Sequence, residues 1–155
     1  MAEKTSYKPI GGVLRAELFP IGQHTTTAEL LEQSPIEVEL WDYASSYEEK
    51  FSVESGQVGV EHTLTLVASA EVADEWLEEE FCRVAAANGV VARLQLACGE
   101  SFLVGQSTKF LLEQPLRLRA VTYSSARKPV ETPLVKLTLV SFDTCSSRQN
   151  RKTNN

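Results

Sequence analysis

Histidine occurs only twice in the chain, at His24 and His62, and cysteine three times, at Cys82, Cys98 and Cys145. That scarcity weighs against the common metal centres. A structural zinc site takes about four nitrogen or sulfur ligands held close together, whereas these thiols form no C-x-x-C pair and neither imidazole has a partner at helical spacing. No metal and no cofactor is therefore expected. An odd number of widely spaced thiols fits a reduced, intracellular setting better than a disulfide framework. Long apolar runs are scarce as well. The longest, Val84 to Ala87, is far short of the ~20 residues that span a bilayer. Met1 to Pro9 is too polar for a secretory signal, so neither a membrane partner nor export is expected, and a cytoplasmic location is. Basic residues are the minority, 15 Lys and Arg against 21 Asp and Glu, for a net charge of −6. A nucleic-acid binder needs a basic excess to neutralise phosphates, and this chain is not expected to be one. Phosphate cradles are missing too: Gly11-Gly12 precedes a strand pattern, and no G-x-G-x-x-G or G-x-x-x-x-G-K-[ST] occurs.

What is present is the making of one globular domain. At 155 residues and 43% hydrophobic composition, the chain is long enough for a self-sufficient core and too short for two comfortable domains. Residues 1–8 and 145–155 lack apolar periodicity and read as a flexible N-terminal segment and a disordered polar tail. The single β-rich domain is expected between them, over residues 9–144.

The dominant hydrophobic period is two, the signature of a half-buried strand. In Val13 to Phe19, Leu14, Ala16 and Leu18 alternate with Arg15 and Glu17. In Ile36 to Tyr43, Ile36, Val38 and Leu40 alternate with Glu37, Glu39 and Trp41. Ala44-Ser45-Ser46 reads as a turn, and Tyr47, Phe51 and Val53 share one face of the next strand. Val58, Val60, Leu64, Leu66 and Ala68 form the longest alternation. Val90 to Leu96, a Cys98-Gly99 turn and Phe102 to Val104 read as a hairpin. Further strands are expected at Thr108 to Leu112, Leu116 to Tyr123 and Leu134 to Phe142, with a loop over Ser124 to Pro133.

One segment changes period. From Ser69 to Asn88, Ala73, Leu77, Phe81 and Val84 fall on one helical face, with Trp76 and Ala85 flanking it. Ser69 is placed to cap this helix, Gly89 to end it in a left-handed turn, and Glu79 and Arg83 to pair at i,i+4. A shorter helix is expected over Thr27 to Gln33, after the capping-box spacing Thr26-Thr27-Ala28-Glu29. The fold class that follows is α+β and mostly β: an antiparallel sandwich or partly closed barrel with one central helix at about 69–88.

No catalytic constellation emerges, and no catalytic residue is assigned. His24 sits in a polar stretch, as a solvated loop residue would. His62 lies on the apolar side of its strand between Val60 and Leu64, as a packed histidine would. Cys82 is expected on the outward side of the helix and Cys98 in the hairpin turn; a nucleophilic role would need a perturbed thiol beside a histidine. Glu75, Glu78 and Glu79 face away from the helix's apolar stripe. Arg117 and Arg119 share a strand face, with Leu116, Leu118 and Ala120 behind them. In an acidic protein, that basic row is a candidate interface for the acidic helix face of a neighbouring subunit.

The residues from Val58 to Thr144 carry a resemblance. Asp74-Glu75-Trp76-Leu77, Leu103-Val104-Gly105, Glu113-Gln114-Pro115-Leu116-Arg117-Leu118 and the strand closing on Asp143-Thr144 resemble small proteins encoded in bacterial prophage-like gene clusters beside tail genes. In outline the chain is similar to phage tail tube proteins. The resemblance implies a β-sandwich or barrel with one flanking helix and ring-forming edges. It also implies a non-enzymatic structural role in a virion or tail-like particle, with further copies or other tail proteins as partners. A different expectation is a small-molecule or peptide-binding barrel with its ligand near His62 and Trp41.

Overall fold

The computed structural model describes residues 12–22, 27–42, 44–106, 114–125 and 131–143. In chain order the elements are β1 (Val13–Pro20), α1 (Thr27–Leu31), β2 (Ile36–Glu37), β3 (Ser46–Glu54), β4 (Gln57–Ser69), a 3-10 turn (Asp74–Leu77) and α2 (Glu79–Ala87). They continue with β5 (Val90–Leu96), β6 (Ser101–Val104), β7 (Arg117–Ser124) and β8 (Leu134–Asp143). All strand pairs are antiparallel and fall into two four-stranded sheets, ordered β2-β1-β5-β6 and β3-β4-β8-β7. The sheets face each other as a sandwich and do not close into a barrel. The expected mostly β, α+β class is what the chain adopts.

The core lies where the alternation predicts it. Leu64, Leu66 and Ala68 on β4 meet Leu137, Leu139 and Val135 on β8, and across the sandwich Leu18, Leu94, Phe102 and Val104 project from the first sheet. Two isolated bridges stitch the sheets together. Leu40 pairs with Ala68, and Val90 pairs with Leu116. The second closes tightly, because Val90 and Leu116 exchange both backbone hydrogen bonds, at 2.7 and 3.1 Å. Gly89 makes that approach possible. Its φ is +91°, and a Cβ there would lie 2.5 Å from Pro115 Cγ and 2.8 Å from the Leu116 carbonyl oxygen. A second apolar layer covers the outer face of the first sheet, where Leu30 of α1 packs on Phe19, Ile21 and Val91.

Several local expectations are corrected. Leu14 does not join Ala16 and Leu18. The β1–β5 register shifts between Val13 and Arg15, which turns Leu14 outward at 56% exposure and sends Val13 inward. Residues 36–41 keep their alternation, but only Ile36–Glu37 is strand; beyond it the chain leaves the first sheet to bridge Ala68. The helical stretch is shorter than 69–88 and broken. Ser69 ends β4, and its hydroxyl caps a turn by accepting the Glu71 N–H at 3.2 Å. Extended Glu78 (φ −71°, ψ 138°) then separates the 3-10 turn from α2. A 3-10 turn advances faster per residue than an α-helix, so the break resets the phase. Trp76 enters the core in place of Leu77, and Ala85 in place of Val84. Gly89 ends the helix as expected, its N–H donating to Val84 O at 3.0 Å. Glu79 and Arg83 form no ion pair within 4.0 Å.

Candidate functional site

Four polar positions of the second sheet point into the sandwich instead of out of it. Glu49 on β3 stands directly across from His62 on β4, and His62 directly across from Ser141 on β8. One step along the same face, Asp143 stands across from Val60. His62 is 1% exposed, Ser141 4% and Asp143 8%. The Tyr47 hydroxyl donates to Glu49 Oε2 at 2.5 Å and sits 2.5 Å from His62 Nδ1. A phenol has one proton. With that proton given to the carboxylate, the tyrosine oxygen accepts from His62 Nδ1–H, which fixes the ring as the Nδ1 tautomer. Glu49 Oε2 lies 3.4 Å from the same nitrogen. The Tyr47 ring packs on Phe102 at 5.4 Å between centroids, tying the row to the first sheet.

Acid, imidazole and hydroxyl in one row is the residue set of a nucleophilic hydrolase. Ser141 and His62 are both shielded from solvent, so no substrate reaches them in this arrangement. The row ties β3 to β4 through the Tyr47–Glu49 and Tyr47–His62 hydrogen bonds, with Ser141 of β8 opposite His62. His62 is the packed histidine its sequence position suggests. Glu49, Ser141 and Asp143 went unnoticed in the sequence; the signal was a polar residue at an inward phase of the alternation.

The candidate interface residues lie on two elements, β7 and the 3-10 turn with the start of α2, and α2 packs against β7. Arg117 and Arg119 are both exposed and line a cleft of about 190 Å³ with Gln114, Leu118, Val140 and Phe142. Phe142 is 54% exposed at its rim. The β7–β8 register shifts between Leu118 and Ala120. Leu116 and Leu118 therefore lie behind the arginines as expected, but Ala120 is exposed. Arg119 Nη2 stands 3.9 Å from Glu61 Oε2, a loose and solvated pair, and Arg117 makes no ion pair among the described residues. Glu75, Glu78 and Glu79 are exposed along the 3-10 turn and the start of α2, around Leu77 and Val72, which are 44% and 46% exposed. None of these acids pairs with Arg117 or Arg119 inside the chain.

The first sheet carries the best-formed ion pairs. Glu17 and Glu37 stand directly opposite each other across β1 and β2, which alone would be repulsive. Arg15 answers Glu37 with two hydrogen bonds, at 2.7 and 3.0 Å, and Arg93 answers Glu17 at 2.7 Å. The Arg93 hydrogen bond holds the Glu17 carboxyl below the usual carboxylate range, against a smaller opposing effect of burial. Arg93 also lies over the Phe19 ring, 5.3 Å from its centroid. Glu37 and Glu17 spend their charge on these partners, so this face is a closed ladder.

The remaining candidates separate. Cys82 is half-buried and directed at the Trp76 carbonyl oxygen, at 3.3 Å, in place of the outward position expected; Cys98 is exposed in its turn. Neither contacts His62. Trp41 lines a cleft of about 100 Å³ with Leu14 and Leu40, and His62 is not among its lining residues. The expected ligand site near both is therefore two places. No group of three His, Cys, Asp or Glu able to hold a metal occurs among the described residues, and no helix there is long and apolar enough to cross a membrane. His24, Cys145, the Thr108–Leu112 strand, the end segments 1–8 and 145–155 and half of the Ser124–Pro133 loop lie outside the described residues. No family model, curated protein or solved structure matches the chain.

Proposed function

We propose that this protein is a non-enzymatic structural component that works by head-to-tail self-association, as a part of a phage or prophage tail-like particle. The observation that carries the reading is the pair of unlike surfaces. One is a cleft with two arginines and an exposed phenylalanine at its rim; the other is an acidic shoulder of Glu75, Glu78 and Glu79 around exposed Leu77 and Val72. Each combines exposed apolar side chains with charge, and the charges are of opposite sign, as at a protein–protein contact. Two different patches that fit one another make a heterologous contact, which yields rings when the rotation closes and filaments when it does not. The tail-particle context is supported by the sequence resemblance alone.

Light scattering across a concentration series at two salt levels tests the reading. Mass should grow with concentration and fall at high salt, and Arg117→Glu with Arg119→Glu should weaken assembly while the thermal melt is preserved. Electron microscopy of the assembled fraction should show rings or tubes. A monomer under all conditions, or assembly indifferent to the double reversal, would remove the proposal.

A further inference from the structure

Among the described residues β3 is hydrogen-bonded on one side only, to β4. Its far half also leaves the sandwich. β4 pairs with β8 from Val60 onward, whereas Ser52 to Gly59 pair only with one another, about a two-residue turn at Ser55 (φ 51°) and Gly56 (φ 78°). On this arm the core-side alternation continues through Phe51, Val53 and Val58, with nothing over them: they are 58%, 68% and 46% exposed. An unpaired edge beside an exposed apolar stripe is a template for another strand.

We propose that β3 pairs antiparallel with β3 of a second copy, about a twofold axis at Glu49. The charges along the strand suit that register. Side chains alternate between faces, so only registers that keep the apolar side together are allowed. With Glu49 on the axis, Glu48 meets Lys50 of the second copy twice, and Tyr47 meets Phe51 twice. Moving the axis to Lys50 sets lysine against lysine and Glu49 against Phe51. Moving it to Phe51 sets Glu48 against Glu54. The favoured register does bring the two Glu49 side chains together, but each carboxylate is already held inward by Tyr47 and His62. Beyond the axis, Val53 of each arm comes level with Ser45 of the other copy. Ser45 accepts the Val13 N–H at 3.0 Å, beside the cleft of exposed Leu14 and Trp41. The arm tips therefore reach apolar surface that each copy leaves open. The inference rests on the self-association reading in taking a second copy as partner, yet it uses another surface and an isologous symmetry.

Charge reversal at the strand edge tests it, read by sedimentation in the Arg117→Glu, Arg119→Glu background, where the head-to-tail contact is disabled. A dimer should remain there. Adding Lys50→Glu should weaken it about tenfold, by turning two attractive pairs into repulsive ones. Adding Glu48→Lys to Lys50→Glu should restore it, because the swapped pairs are again complementary. Phe51→Ser should abolish the dimer and leave a folded monomer with an unchanged melt. If the wild type assembles but the arginine background is monomeric, the β3 contact is overturned and the head-to-tail reading stands. If Lys50→Glu abolishes all assembly while the arginine reversals change nothing, the head-to-tail reading is the one that fails. A dimer that ignores Lys50→Glu, or that the double swap does not restore, also overturns the proposed register.

Discussion

The two ends of β4 follow one sequence rule and meet opposite fates. From Val60 to Ala68 every second residue is buried: Val60, His62, Leu64, Leu66 and Ala68 are all at or below 1% exposure. At Val58, on the same face of the same strand, exposure is 46%, and its cross-strand partner Val53 reaches 68%. Nothing in the alternation changes between these positions. What changes is the neighbour: β8 and the opposing sheet cover the first stretch, and only β3 accompanies the second. Alternation encodes which side of a strand is apolar, and topology decides whether that side is covered.

Substitution should resolve the two halves sharply. Leu66→Ala removes a fully buried side chain between the sheets and should cost about 2–5 kcal/mol, the range for cavities in packed cores. Val53→Ser, on the arm, should change the melt of the isolated monomer by no more than about 0.5 kcal/mol. Denaturant titration of both variants makes the comparison, and a large loss at Val53 would show that the arm is covered within the monomer. The glycines divide the same way. Gly56→Ala at the arm tip meets open space and carries only the strain of its φ of +78°, about 1 kcal/mol. Gly89→Ala adds to a similar strain a Cβ driven within 2.5 Å of Pro115, and should cost several times as much or separate Val90 from Leu116. A melt in which the two variants are equal would mean that the Val90–Leu116 bridge yields freely.

The same distinction explains what could be read from the residues alone. Strands β4, β5, β6 and β8 have regular alternation and firm turns, so their positions and buried faces were legible. Leu14 misled because a bulge is a local slip that leaves no mark on the hydrophobic pattern. The helical stretch misled for a related reason: Leu77 and Trp76 are neighbours of similar hydrophobicity, and only the extended backbone at Glu78 decides which one enters the core. The exposure of Arg117 and Arg119 was legible because charge on a strand's outer face is visible in sequence. The Glu49–His62–Ser141 row was only partly visible, since it joins three strands through cross-strand register, which no single segment carries. The exposed arm was invisible for the reason β4 illustrates, as Phe51 and Val53 look like core residues.

The smallest expected effect lies on the outer face of the first sheet, where apolar burial and exposed charge meet at one residue. Arg93 covers the Phe19 ring and also donates to Glu17, so its contribution has a packing part and an ionic part. Arg93→Met keeps an unbranched apolar cover and removes the charge. The pair is substantially exposed, with Arg93 at 46% and Glu17 at 22%, so the ionic part should be no more than about 1 kcal/mol. Its pH dependence has a definite sign. Glu17 titrates below the usual carboxylate range in the folded protein, chiefly because of the Arg93 hydrogen bond. The carboxylate's contribution is therefore complete above the unfolded value, about 4.3, and is lost as pH falls through the lower folded value. Unfolding of wild type and Arg93→Met should differ at pH 7 and converge once the pH falls below the folded value. A difference that persists undiminished in acid would assign the residue's role to covering Phe19. It would then belong with the buried face of β4, where contact area and not charge sets the cost.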